Sequence, residues 1–276
     1  MMDVLMKNGK KKMMKSIEEL LNLKGKTAVV TGAANGIGKA IVKRLSESGC
    51  NLILTDIDRT GLDETIKQLN GTEVRIESHS FDLAQKESID CFWSEIDARK
   101  VDILINNAGV YPFKNFMKLD YAYLEKVMQV NLYSVLWMCQ NMIRHRKRRG
   151  GVIVNFSSIE AILPFKVDLT QYSVGKMGVI ALTRDLAREF SNKGFRINAI
   201  LPGGIVSNGT KAAAKTVLTQ GKVGLISDAF HFIHRIPARR LGQPDEVARV
   251  ALMLCSDMST YVHGAMIPVD GGFLSA

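Results

Sequence analysis

Seven short apolar, β-branched stretches recur along the chain, at Thr27 to Thr31, Asn51 to Asp56, Val74 to Phe81, Val101 to Ile105, Val152 to Phe156, Arg196 to Leu201 and Met266 to Val269. Longer segments with helical spacing separate them, such as Leu62, Ile66 and Leu69, or Val247, Val250, Ala251 and Leu254. Strands that are apolar along their whole length need cover on both faces, and alternation with helices supplies it. The pattern predicts an α/β fold built on a doubly wound, seven-stranded parallel sheet.

With 276 residues, 46% of them hydrophobic and 23% charged, the chain has material for one full core. Ser16 with Glu19 three residues on forms a capping-box pattern that opens a short helix carrying Leu20, Leu21 and Leu23. Residues 1–22 are thus expected to be an extension, partly disordered with one short helix, ahead of a single domain over 23–276. The stretch 207–235 is rich in Gly, Ala, Lys and Thr and weakly periodic, as expected of a mobile helical lid over the strand ends.

Cys50, Cys91, Cys139 and Cys255 are scattered without metal or disulfide spacing, so reduced and mostly buried thiols are expected. His231 and His234 share a helical spacing but lack a third partner, and no metal is expected. No apolar run reaches the ~18 to 20 residues of a membrane span, and no signal-peptide core precedes the first strand, which predicts a cytoplasmic protein. The formal charge of +10 lies largely in two runs, Lys7 to Lys15 and Arg144 to Arg149. Neither run alternates with aromatics, so nucleic acid is not an expected partner. The second run is expected to form a solvated helix end that complements the C-terminal dipole.

Thr31-Gly32-Ala33-Ala34-Asn35-Gly36-Ile37-Gly38 directly follows the first strand and opens a helix. Gly32 permits a sharp turn, Gly36 clears space for a pyrophosphate, and Gly38 lets helix and strand approach closely. Backbone N–H groups and the positive helix end then face the phosphates. The second strand ends at Asp56, eighteen residues after Gly38. That is close to the ~20 at which an acid reaches the ribose 2′-hydroxyl. A carboxylate there repels a 2′-phosphate, and Asn35 offers no positive charge. The expected cofactor is NAD in preference to NADP, with Arg59 the one nearby cation.

Tyr172 alone among the tyrosines has a lysine four residues later, Lys176, and such a pair shares one helix face. A cation ~4 Å from a phenol at an effective dielectric of ~20 is worth about 4 kcal/mol, or roughly three pKa units. Lys176 is therefore expected to bring Tyr172 toward neutrality, where acid–base catalysis is efficient.

Further segments accompany the pair: Asn106-Asn107-Ala108-Gly109, Val130-Asn131-Leu132, Asn155-Phe156-Ser157-Ser158, Pro202-Gly203-Gly204-Ile205, Arg240-Leu241-Gly242-Gln243-Pro244 and Val269-Asp270-Gly271-Gly272. In this order and spacing, from Leu23 to the C-terminus, the chain resembles the short-chain dehydrogenase/reductase family, whose single-domain members have a Rossmann fold. The resemblance implies that Tyr172 is the general acid–base and that Lys176 also holds the nicotinamide ribose. It implies that Ser158 bonds the substrate oxygen, with Ser157 structural, and that Asn131 holds a water linking Lys176 to solvent. It further implies cofactor contacts from Ile57, from Asp82 and Leu83 around the adenine, from Asn107, Ala108 and Gly109, and from Pro202, Gly203, Ile205 and Ser207 near the nicotinamide. Asn106 has an alternative structural role, tying neighbouring strands together.

Residues expected to touch substrate are Tyr111, Pro112, Phe113 and Phe116, then Ile159 to Phe165, and the lid. Most are apolar, which favours a small-molecule secondary alcohol or ketone with a hydrophobic part. Rival readings are a 3-oxoacyl-thioester (acyl carrier protein) reductase, which shares every motif, and a catalytically silent NAD sensor. The resemblance also implies a homotetramer or homodimer joined through helices that begin near Asp120 and Tyr172.

Overall fold

The computed structural model describes residues 14–147, 149–207 and 232–276. Seven strands pair in parallel in the order β3-β2-β1-β4-β5-β6-β7. They are β1 (Thr27–Thr31), β2 (Asn51–Asp56), β3 (Ile76–Ser80), β4 (Ile103–Asn106), β5 (Gly151–Phe156), β6 (Phe195–Pro202) and β7 (Met266–Val269). Among the described residues, seven α-helices connect or flank them: α2 (Gly36–Glu47), α3 (Arg59–Lys67), α4 (Lys86–Glu95), α5 (Tyr121–Met128), α6 (Ser134–Arg146), α7 (Thr170–Phe190) and α8 (Pro244–Cys255). The short α1 (Ile17–Leu21) precedes β1. The doubly wound parallel sheet expected from the alternation is the observed architecture.

Neighbouring residues on the central strands feed opposite cores, because successive side chains of a strand point to opposite faces. Val30, Leu54, Ile105 and Val154 join the layer under α2 and α8, with Ile41, Leu45, Val247 and Leu254. Val29, Ile53, Leu104 and Ile153 join the layer under α4, α6 and α7, with Phe92, Trp93, Met138 and Val179. Their full burial explains why the strands read as unbroken apolar runs. Strand order reverses between β1 and β4, and the two chain crossings leave a crevice beyond their C-terminal ends, where such sheets bind ligands.

Ser16 Oγ accepts from the Glu19 N–H at 3.1 Å while Glu19 Oε2 accepts from the Ser16 N–H at 2.6 Å, so the expected capping box is formed. The helix stops at Leu21, and Leu23 is buried beyond its end rather than carried on it. Lys15 anchors the segment through a 2.5 Å ion pair to Asp257. The first dozen residues, His231 and most of the expected 207–235 lid lie outside the described residues.

The basic run at the end of α6 is not wholly solvated, contrary to expectation. Arg146 is buried and donates to the carbonyls of Gly150 and Arg99 and to Asp102 Oδ1, at 2.9, 2.7 and 2.9 Å. Its guanidinium closes the turn into β5, so part of the positive charge is internal structure. Cys50, Cys139 and Cys255 are buried free thiols and Cys91 is exposed. Among the described residues no helix is long and apolar enough to cross a membrane.

Candidate active site

The glycine turn is stitched to the segment after β4. Thr31 Oγ1 accepts from the N–H groups of Asn107 and Ala108, both at 3.0 Å, and the Asn107 amide donates to the carbonyls of Thr31 and Gly32 at 3.0 and 3.1 Å. Asn107 thus acts through its side chain as well as its backbone, holding the turn in place. Gly32 has φ +67°, and a methyl group added at Gly38 would lie 1.9 Å from the Gly32 carbonyl oxygen. Gly36, at φ +54°, has nothing within 4 Å of the position a Cβ would take. The Asn35 side chain makes no capping bond to α2, so the helix N-terminus beside that clear space suits an anionic pyrophosphate.

At the end of β2, Asp56 accepts from the Ala34 N–H through Oδ2 and from the Asp58 N–H through Oδ1, each at 3.0 Å. Its carboxylate is held against the glycine turn, at the corner where an adenosine ribose would sit. The Asn35 amide lies 3.5 Å from Asp58 Oδ2, and Arg59 pairs with Asp63 at 3.3 Å. Ile57 is exposed at the same corner. Asp82 accepts from the Ala84 N–H at 2.8 Å, and Leu83 packs into the lower core layer. On the far side, the Gly203 N–H donates to Val269 at 3.0 Å, and Ile205 forms a parallel bridge with Gly242. This fastens the segment from Pro202 to Ile205 across the rim, with Ser207 at its described end.

Tyr172 and Lys176 stand one turn apart on α7. The Lys176 ammonium is buried and donates to the Phe156 carbonyl at the end of β5 at 2.8 Å. A Cβ at Gly109 would lie 3.3 Å from that nitrogen, so only glycine fits there without pushing on it. Ser157 donates to the Lys176 carbonyl at 2.7 Å, the structural role expected of it. Ser158 is buried and accepts from the Glu160 N–H at 3.1 Å. Asn106 donates to Asn155 at 2.9 Å, tying β4 to β5. Asn131 exchanges two bonds with the backbone of Val110, at 3.0 and 2.9 Å. Its side chain sits in a widened π turn, Gln129–Tyr133, between α5 and α6.

The electrostatics differ from the sequence expectation. Burial pushes Tyr172 up to about 12, opposed by a hydrogen bond from Ser158, and burial lowers Lys176 to about 8. The lysine loses its proton first, so no ammonium remains at the pH where the phenolate would form. Its nitrogen, 5.9 Å from the centre of the Tyr172 ring, is also turned toward Phe156. In the protein alone, desolvation therefore outweighs the expected lysine effect, and Ser158 is the group that favours the phenolate.

Tyr111 meets Tyr172 edge-on at 4.7 Å between ring centres and Phe113 at 5.1 Å, forming an aromatic ladder away from the phenol. Ile162 and Leu163 are exposed nearby in sequence, but Ile159 and Ala161 are core residues packed with Ile180 and Phe273. The expectation that all of Ile159 to Phe165 faces substrate is corrected accordingly. Glu160, within the stretch expected to face substrate, is buried, as is Gln171, which the sequence did not single out and whose amide donates to the carbonyls of Pro112 and Asp168 at 3.0 and 3.2 Å. A charged residue in an apolar stretch was the available signal for Glu160. Among the described residues, no three His, Cys, Asp or Glu side chains are grouped to hold a metal.

A phosphate-ready helix start and an acid–base cluster, across the switch point of a parallel sheet, define a dinucleotide-dependent oxidoreductase. A family model described as enoyl-(acyl carrier protein) reductase matches residues 32–274, and the chain belongs to the short-chain dehydrogenase/reductase family, enzymes that act on CH–OH groups with NAD(P). It is 32% identical over 261 residues to a 3-oxoacyl-[acyl-carrier-protein] reductase of Thermotoga maritima, covering 92% of this chain and 100% of the relative. It is 35% identical over 264 residues to the 2-dehydro-3-deoxy-D-gluconate 5-dehydrogenase of Bacillus subtilis, covering 94% and 98%. The solved L-sorbose reductase of Gluconobacter frateurii, complexed with NADPH and L-sorbose, superposes with a TM-score of 0.85 at 27% identity, covering 93% of this chain and 99% of that one. Such relatives include users of the phosphorylated cofactor, so family membership alone gives NAD(P), not NAD.

Proposed function

We propose that this oxidoreductase transfers hydride between NAD(H) and a secondary alcohol or ketone bearing a sizeable hydrophobic part. The observation that carries the reading is the convergence on one cleft of Ser158, whose hydroxyl favours ionised Tyr172, Tyr172 itself and the buried Lys176 ammonium, 5.9 Å from the centre of the Tyr172 ring. Bound NAD(H) supplies the hydride acceptor or donor at nicotinamide C4. Tyr172 takes the hydroxyl proton during oxidation and returns it during reduction, while Ser158 holds the substrate oxygen. Lys176 orients the nicotinamide ribose and adds positive charge once water is displaced. Asn131 fixes the loop at Val110 and holds the water expected to link Lys176 to solvent.

Cofactor preference rests on the ribose corner. Asp56 and Asp58 place two carboxylates beside the glycine turn, and Arg59 is engaged by Asp63. A 2′-phosphate would meet net negative charge there, whereas the ribose diol would find acceptors. Asp82, Leu83, Asn107, Ala108 and Gly109 complete the adenine and ribose side. Gly32, Asn35, Gly36, Ile37 and Gly38 serve the pyrophosphate, and Pro202, Gly203, Ile205 and Ser207 the carboxamide.

The aromatic ladder from Tyr172 to Phe113 supports a hydrophobic substrate. A second reading, 3-oxoacyl-thioester reduction on an acyl carrier protein, draws support from the Thermotoga relative and from the +10 charge, which would attract an acidic carrier. A silent sensor is disfavoured because Asn131, Ser158, Tyr172 and Lys176 are all present. Exposed Tyr121 on α5, with Val174 and Met177 on α7, supports assembly through those helices as a homotetramer or homodimer. Steady-state rates with NAD and NADP across secondary alcohols and an acyl-carrier thioester test the proposal. NAD-dependent turnover of apolar alcohols supports it, and turnover confined to NADPH and the thioester overturns it.

A further inference from the structure

Glu160 is a carboxylate with 1% of its surface exposed, two residues past Ser158, and the acid–base chemistry makes no use of it. Such a group persists in a core only when its oxygens are engaged. They are: Oε1 and Oε2 lie 3.3 and 3.5 Å from the Phe165 N–H, and the Lys166 N–H also donates to the carboxylate. At the other end of the residue, the Glu160 N–H donates to Ser158 Oγ at 3.1 Å. That bond occupies an acceptor position on the serine oxygen, the same hydroxyl that favours the ionised form of Tyr172 against the effect of burial. One residue therefore grips both the serine hydroxyl and the loop that ends in Phe165.

That loop packs against segments from three other parts of the chain. Phe165 stacks on Phe232 at 4.7 Å and meets Phe273 at 5.2 Å, joining the segment after β5 to the segment that returns to α8 and to the C-terminal tail. The Lys166 ammonium lies 5.9 Å from the centre of the Phe113 ring on the segment after β4. Loss of the carboxylate anchor would release Phe165 and Lys166 together.

We propose that Glu160 is a positioning residue that couples the direction of the Ser158 hydroxyl to the placement of Phe165 and Lys166 as a wall for substrate. The proposal rests on Ser158 and Tyr172 being the reacting pair. It carries a pH dependence, because a protonated carboxyl has one acceptor oxygen fewer for the two backbone donors. Burial raises the Glu160 carboxyl above the usual range. The charged and titratable groups facing it are Tyr111 and Tyr172, from the segment after β4 and from α7, and the cations Lys166 and Arg235. Burial biases Glu160 toward its neutral form, so acidification acts on the carboxylate that holds the two backbone donors.

The test is E160Q in the full chain, which keeps the shape and removes the second acceptor. Expected are about a tenfold loss of hydrogen-exchange protection at the Phe165 and Lys166 amides and about a tenfold rise in KM for a ketone substrate, with NAD affinity unchanged. Wild-type protection at those two amides should fall as pH drops from 8 to 4, and in E160Q it should be flat. If E160Q does not fold, the wild-type pH series decides alone. Unchanged protection at Phe165 and Lys166, in the variant or across that pH range, overturns the proposal. This readout is independent of turnover: an active Tyr172→Phe enzyme would defeat the catalytic assignment, whereas intact amide protection in E160Q defeats only the role of Glu160.

Discussion

The Lys176 ammonium donates at 2.8 Å to the carbonyl of Phe156, the last residue of β5, so α7 is tied to the sheet through a buried cation. An ammonium without a carboxylate partner is a costly way to join two elements. Its retention there makes sense for a residue selected by the chemistry of the cleft rather than by stability.

Replacing Lys176 with Met should therefore stabilise the protein while removing activity. Folding lowers the lysine from 10.5 to about 8, so at pH 7 the folded state holds a proton it disfavours. That is worth about 3 kcal/mol at 1.36 kcal/mol per unit, offset by about 1 kcal/mol for the orphaned Phe156 carbonyl. A net gain of about 2 kcal/mol in chemical denaturation at pH 7 is expected. The unfolded chain binds more protons than the folded one between about 8 and 10.5, so wild-type stability rises with pH across that window. Tyr172 acts oppositely above 10, because its folded value is raised to about 12. The rise from pH 8 should vanish in Lys176→Met.

Two glycines of the turn should fail differently. A Cβ at Gly38 would lie 1.9 Å from the Gly32 carbonyl oxygen, so Gly38→Ala must displace the turn or α2. A loss of about 3 kcal/mol in stability, together with cofactor affinity, is expected. Gly36→Ala meets no atom within 4 Å and carries only its φ of +54°, worth about 1 to 2 kcal/mol. It should fold, yet bind cofactor weakly because the methyl occupies the phosphate's space. Thermal melts alongside cofactor titration separate the two.

Asp56→Asn keeps an oxygen for the Ala34 N–H and removes the charge. The ratio of kcat/KM for NAD over NADP should fall by about ten- to a hundredfold, chiefly through a lower KM for NADP. An unchanged ratio would show that the ribose corner does not set the preference.

Much of this architecture is legible in the chain itself. The stretches Thr27 to Thr31 and Asn51 to Asp56 are strands with those limits, because full burial leaves an apolar signature and Gly32 and the turn after Asp56 end it. The proposed site residues Asn131, Ser158, Tyr172 and Lys176 are likewise readable as a set. What escaped are properties created by packing. Arg146 belongs to a basic run in sequence but is buried only because Arg99, Asp102 and Gly150 converge on it. Ile159 resembles its apolar neighbours Ile162 and Leu163, and only the short turn after Ser158 directs it inward. The acidity of the Tyr172/Lys176 pair is set by desolvation, which no spacing reveals.

In the proposed reaction Tyr172 moves the proton that accompanies hydride transfer. Its most direct measurement is the single-turnover rate of cofactor reduction with a secondary alcohol, compared between wild type and Tyr172→Phe at saturating NAD. A fall of at least about a hundredfold is expected, with NAD affinity within about twofold of wild type. A Tyr172→Phe enzyme that reduces NAD at the wild-type rate would contradict it.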